Sequence, residues 1–108
     1  MAPPASFDPK KLFDIVATSS GQTFAMTGYC PVPGLSPTAA SNNGFRQGFT
    51  TSMMLKDLRL AQQAARDAGS ASPMGAQAAA LFALFHNSGN AEIDYSAIIE
   101  MVRGKPQP

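Results

Sequence analysis

Pro31, Pro33 and Pro37 stand among Gly28, Gly34, Gly44 and Gly48 in the first half of the chain. Proline lacks the amide N–H of a helix ladder and clashes with the preceding turn, so no continuous helix crosses this stretch. From Gly21 to Gly48 the apolar residues follow neither a 3.6-residue nor a 2-residue period. The glycines mark bends where the backbone takes positive φ. Gly21 to Thr50, with TGYCPVPG, SNNGF and QGF, therefore reads as a long, ordered, irregular loop. Such segments are uncommon in compact domains and are usually functional when present. Its tyrosine, phenylalanine and methionine content distinguishes it from a flexible linker.

Helical patterns flank the loop. Asp8-Pro9 supplies an N-cap and a first-turn proline, and Leu12, Phe13, Ile15 and Val16 form a stripe that Ser19-Ser20-Gly21 terminates. Thr50 or Thr51 caps a second helix, which stops at Gly69 and buries Met54, Leu55, Leu58, Ala61, Ala65 and Ala68. Ser72-Pro73 opens a third, carrying Ala78, Leu81, Phe82, Leu84 and Phe85 and ending near Gly89. Asp94 caps a fourth, with Tyr95, Ile98, Ile99 and Val102 inward and Gly104 as its stop. No segment alternates as a strand. The expected architecture is all-α: four helices, with the ordered loop between the first and second. Residues 8–104 form the helical domain, and residues 1–7 and 105–108 are expected to be disordered.

Composition narrows the function classes. Apolar residues make up 44% and charged residues 14%, a low charge content that hints at surface covered by a partner or by further sequence. Eight basic and seven acidic residues give +1, which leaves no basic footprint for DNA or RNA. Cys30 is the only cysteine, so no internal disulfide or cysteine-based metal cluster is possible, and a reducing compartment fits. MAPPAS is too short and too poor in apolar residues for a signal peptide, and AAALFALF is too short to span a bilayer. A cytoplasmic location without membrane association is expected.

Few residues carry chemistry. Lys56, in the first turns of the second helix, reads either as a solvated helix lysine or as a point charge for an anionic or carbonyl-bearing ligand. Asp57 faces elsewhere, because adjacent helix residues do not share a face. Of Phe24, Tyr29, Phe45 and Phe49, at least two are loop anchors plugged into the core. Tyr29 is the best candidate for a polar contact, since its hydroxyl can complete an aromatic wall. His86 has no companion at metal-ligand spacing and reads as a helix-terminus or core histidine. Cys30 reads as a packing residue. The chain contains no G-x-G-x-x-G and no Walker A loop, and its single histidine suggests no nucleophilic triad.

The ordered series DPKKLFDIVATSSG, FAMTGYCPVPG, NNGFRQGF, MLKDLRLA and GNAEIDYSAII resembles the C-terminal region of 3-hydroxyisobutyrate dehydrogenase, of the β-hydroxyacid dehydrogenase family. The likeness covers nearly all of the chain after its first few residues. It implies a helical domain like the C-terminal domain of 6-phosphogluconate dehydrogenase, from a two-domain enzyme whose Rossmann domain binds NAD. Such enzymes oxidise a 3-hydroxy acid to the semialdehyde, with a lysine as general acid and base.

By this resemblance Lys56 is the lysine of a KDLG-x-A-x-D motif near the nicotinamide end of NAD. Phe49 is the aromatic that closes over that region, Phe24 lines the substrate pocket, and Tyr29 contacts the substrate's acid end. Two positions depart from the motif: its glycine is Arg59 here and its final acid is Gln63. The family's catalytic lysine lies in a G-x-G-x-x-x-K-x-x-x-N helix. None of Lys10, Lys11, Lys56 or Lys105 is followed four residues later by asparagine, so no catalytic residue is assigned to this chain.

The resemblance implies a C-terminal part of a dehydrogenase of valine degradation, inactive alone, with a small 3-hydroxy acid as substrate and homo-oligomeric assembly. The alternatives are a stand-alone helical interaction module and a chain whose start was taken at an internal methionine.

Overall fold

A computed structural model describes residues 8–46 and 48–104. The segments 1–7 and 105–108, expected to be disordered, lie outside the described residues. The described elements are helical, and the only extended pairing among them is an isolated antiparallel bridge between Thr50 and Asp94. The chain divides into two compact units between Gly44 and Phe45.

The first unit holds α1 (Pro9–Ala17) and a single-turn α2 (Phe24–Thr27). Asp8 Oδ1 accepts from the Lys10 N–H at 3.0 Å and Pro9 occupies the first turn, as the sequence implies. Thr23 caps α2 through the Met26 N–H. This extra turn of helix sits inside the expected loop, where no 3.6-residue period announces it.

Beyond α2, apart from a 3₁₀ turn at Ala40–Asn43, side chains replace a backbone ladder. Ser36 Oγ donates to the Thr27 carbonyl at 2.7 Å, Thr38 Oγ1 to that of Gly28 at 3.1 Å, and Ser41 Oγ to that of Cys30 at 2.8 Å. Asn42 accepts from the Gly34 N–H at 2.8 Å and donates to the Ser36 carbonyl at 2.6 Å. Short polar side chains thus satisfy backbone groups that no helix or sheet reaches, which is how an irregular segment stays ordered. Gly34, Gly44 and Gly48 take positive φ, but Gly28 does not: its φ is −106°.

The second unit is built on α3 (Thr51–Ala68) and α4 (Pro73–Phe85), which pack together. Thr50 Oγ1 accepts from the Met53 N–H at 3.2 Å, so Thr50 rather than Thr51 is the cap. Gly69 ends α3 at φ 70°, with Ser70 N–H donating to the Ala65 carbonyl and Gly69 N–H to that of Arg66, a Schellman closure. Ser72 makes no side-chain cap. Its hydroxyl donates to Gln62 Oε1 at 3.2 Å and ties the start of α4 to α3. After the turn His86–Asn90, Asp94 caps a 3₁₀ turn (Tyr95–Ala97) that continues into α5 (Ile98–Val102).

Phe45, Phe85 and Ala97 form the buried centre of this unit, with Ile93, Ile98, Ile99 and Met101 packed against them. Leu55 is buried as expected, whereas Ala61 and Ala68 on the same stripe are exposed. Leu81, Leu84 and Val102 are also exposed, as are Leu12 and Ile15 on α1. Helix α4 is apolar around most of its circumference, so packing on one side leaves part of that surface in solvent.

Candidate functional site

The segment leading into α3 is strapped to the segment before α5. Asp94 N–H donates to the Phe45 carbonyl at 2.9 Å, Tyr95 N–H to that of Phe49 at 2.8 Å, and Thr51 N–H to that of Ile93 at 2.8 Å. At the centre is the Asp94 carboxylate, only 2% exposed. Its Oδ1 accepts from the Phe49 N–H at 2.8 Å and its Oδ2 from the Ser96 N–H at 2.9 Å and from Ser96 Oγ. Hydrogen bonds to an ionised acceptor are roughly twice as strong as neutral ones.

This clamp fixes Phe49, one of the sequence-designated residues. Phe49 is half-buried, and its ring meets Tyr95 edge-on with centroids 5.9 Å apart and planes at 83°. Tyr95 in turn lies 6.3 Å from Phe82. Burial, and secondarily the Asp94 charge beside it, push the Tyr95 phenol above its usual value of 10.0. Phe45 adopts φ 61°, a conformation uncommon for a bulky residue, immediately after Gly44 at φ 66°. Its buried ring and its bond to Asp94 hold the backbone there.

Lys56 is exposed on α3, and lines a cleft of about 420 Å³ with Ser52, Leu55, Arg59, Leu60, Gln63 and His86. Phe49 is not among the residues of that cleft. Both positions that depart from the KDLG-x-A-x-D pattern, Arg59 and Gln63, do line it. His86 follows the last residue of α4, as a helix-terminus histidine, with Nδ1 3.0 Å from Asn87 Oδ1.

Phe24 and Tyr29 belong to the first unit and face one another across 6.3 Å at 50°. Phe24 is 74% exposed, whereas Tyr29 is half-buried. An α-carbon substituent on Gly28 would fall 2.6 Å from the Phe24 ring, so the ring lies directly over the glycine. What a side chain at Gly28 would meet is this close approach of the ring, not a positive φ. Cys30 is buried, in keeping with a packing role.

Sequence reasoning missed the clamp. It read Asp94 as a helix cap, which it is, but no local pattern encodes a partner 45 residues earlier. It likewise had no means of bringing His86 to the face of Lys56. Among the described residues no group of three or more His, Cys, Asp or Glu could hold a metal ion, and no helix is long and apolar enough to cross a membrane.

Comparison with known proteins places this geometry in context. Residues 1–102 match the family described as NAD-binding of NADP-dependent 3-hydroxyisobutyrate dehydrogenase. A probable 3-hydroxyisobutyrate dehydrogenase of Mycobacterium tuberculosis is 40% identical over 96 residues, which are 89% of this chain and 32% of the relative. The 3-hydroxyisobutyrate dehydrogenase of Pseudomonas aeruginosa is 40% identical over 101 residues, 91% of this chain and 34% of the relative. A solved Mycobacterium tuberculosis 3-hydroxyisobutyrate dehydrogenase with L-serine superposes with a TM-score of 0.83 at 40% identity, covering 89% of this chain and 33% of that one. The chain spans about a third of the length of the curated relatives it matches.

Proposed function

This chain belongs to the family described as NAD-binding of NADP-dependent 3-hydroxyisobutyrate dehydrogenase, and on that premise we propose that it is the C-terminal part of an NAD-dependent oxidoreductase acting on a small 3-hydroxy acid. Lys56 and Phe49 serve the nicotinamide side of the cofactor, and Phe24 and Tyr29 the substrate side. The observation that carries this reading is the Asp94 clamp: a buried carboxylate holds the backbone of Phe49 immediately before the helix that presents Lys56. A segment fixed in this way can present an aromatic ring to a ligand without ordering it first.

The residues present fit the nicotinamide end of a dinucleotide. Lys56 supplies a cation beside the apolar Leu55 and Leu60, in a cleft within the usual size range of small-molecule sites. NAD, when bound, supplies the hydride acceptor, and the protein's part is binding, orientation and exclusion of water. Phe24 and Tyr29 supply aromatic surface, with the Tyr29 hydroxyl suited to the substrate's acid group.

The isolated chain does not turn over substrate on this reading. None of its lysines stands in the family's base motif, and it carries no dinucleotide phosphate-binding fingerprint. A steady-state assay with NAD and 3-hydroxyisobutyrate tests this: no turnover above buffer is expected, and robust turnover would overturn it. Self-association is the second reading, favoured by the exposed apolar side chains of α1 and α4. Light scattering showing a monomer at all accessible concentrations would remove it.

A further inference from the structure

We propose that the cleft between α3 and the end of α4 binds a phosphate group, held by Lys56 and Arg59 on α3 with His86 contributed from the end of α4. Lys56 and Arg59 are three residues apart on a helix and so share a face. The cleft they line brings in an imidazole and contains no carboxylate. Two like charges on one helical face repel each other, and among the described residues neither Lys56 nor Arg59 has an ion-pair partner. The one ion pair among the described residues is Lys10 with Asp14, on α1. Asp57 lies off this face, and Asp67, a turn beyond the cleft, accepts the Gln63 amide at 2.9 Å.

The two departures from the family pattern both fall on this wall. Arg59 adds a positive charge where the pattern has glycine, and Gln63 removes a negative one where it has an acid. Together they make this wall more positive by two charges than the pattern does. Their joint placement beside Lys56 suits an anion with more than one charge. A carboxylate carries a single charge, whereas a free phosphate or phosphate monoester carries about −1.5 to −2 at pH 7 on three acceptor oxygens, and the pyrophosphate of a dinucleotide carries one charge on each of two adjoining phosphates. The guanidinium of Arg59 matches such a group bidentately, and Lys56 adds a point charge. Buried Leu55 with Leu60 gives the cleft an apolar side for whatever the phosphate is attached to.

The source is either free phosphate or a phosphate of a dinucleotide. The second source rests on the reading of Lys56 as cofactor-facing; the phosphate site does not. The test is calorimetric titration of the 108-residue chain with inorganic phosphate and, separately, with NADH, at low ionic strength. It uses the parent, Arg59→Gln, and Lys11→Gln as a control on α1. Glutamine keeps helix propensity, so loss of fold does not confound the result.

Saturable phosphate binding that Arg59→Gln weakens about tenfold and Lys11→Gln leaves unchanged is the expected result. Absence of phosphate binding by the parent, or equal binding by the parent and Arg59→Gln, would overturn the site. NADH binding that phosphate displaces and Arg59→Gln weakens supports the site with the dinucleotide as its source, whereas saturable phosphate binding beside NADH binding insensitive to both supports it with free phosphate as the source. Phosphate binding without NADH binding supports the site and counts against the cofactor reading.

Discussion

The backbone N–H of Phe49 donates to Asp94 Oδ1 at 2.8 Å, joining two residues 45 positions apart. The same carboxylate caps the turn that leads into α5, so one buried side chain sets both the start of α3 and the start of α5. The Tyr95 N–H returns to the Phe49 carbonyl, which closes the link from the other side. Phe49 is therefore held at its amide and its carbonyl, and its ring packs against Tyr95.

Asp94→Ala leaves the Phe49 and Ser96 amides without their acceptor and is expected to destabilise the chain by about 2–4 kcal/mol, the scale of a lost cap plus a lost charge-assisted bond. Asp94→Asn keeps the shape but places an amide nitrogen against one donor, and should cost less than the alanine variant. Urea unfolding measures both. Equal stability of Asp94→Ala and the parent would mean that the clamp contributes nothing.

Tyr95 gives a pH dependence with a definite sign. Below the usual phenol value of 10.0 both folded and unfolded chains keep the proton, and the group has no effect. Above that value the unfolded phenol ionises first, the folded state holds more protons, and stability falls as pH rises. Tyr95→Phe should flatten this alkaline limb, measured by urea unfolding between about pH 9 and pH 11. An unchanged slope in the variant would count against Tyr95 as its origin.

Gly28→Ala is allowed by the backbone, since φ is −106°, but its methyl would fall 2.6 Å from the Phe24 ring. The ring must swing away, because it is exposed and free to do so. Stability should change by less than about 1 kcal/mol, while the Phe24–Tyr29 ring contact seen in nuclear Overhauser spectra disappears. Persistence of that contact would show that the ring is not held over the glycine.

Helix boundaries were legible in the sequence because caps and stops are local: Asp8-Pro9, Thr50, Gly69 and Asp94 all act where the pattern puts them. The prolines excluded one continuous helix from Gly21 to Thr50, but not single helical turns within it. The internal turns Phe24–Thr27 and Ala40–Asn43 were not legible, since a single turn is too short to show a period. The apolar stripes overstated burial, as exposed Leu12, Leu81 and Val102 show, because periodicity reports a face but not what covers it. Ser72 shows the same limit at a cap, its hydroxyl going to Gln62 on the neighbouring helix. In the candidate site, the family resemblance pointed to Lys56 and Phe49, but the Asp94 clamp and the grouping of Arg59, Gln63 and His86 with Lys56 arise from tertiary packing.

The central claim is that the start of α3 faces a dinucleotide. Titrating NADH into the isotopically labelled chain and following every backbone amide tests it most directly. The account predicts saturable shifts concentrated at Phe49, Ser52, Leu55 and Lys56, with residues of α1 unmoved. Binding whose shifts avoid those positions, or no shift at any NADH concentration by a chain that remains folded, would contradict it.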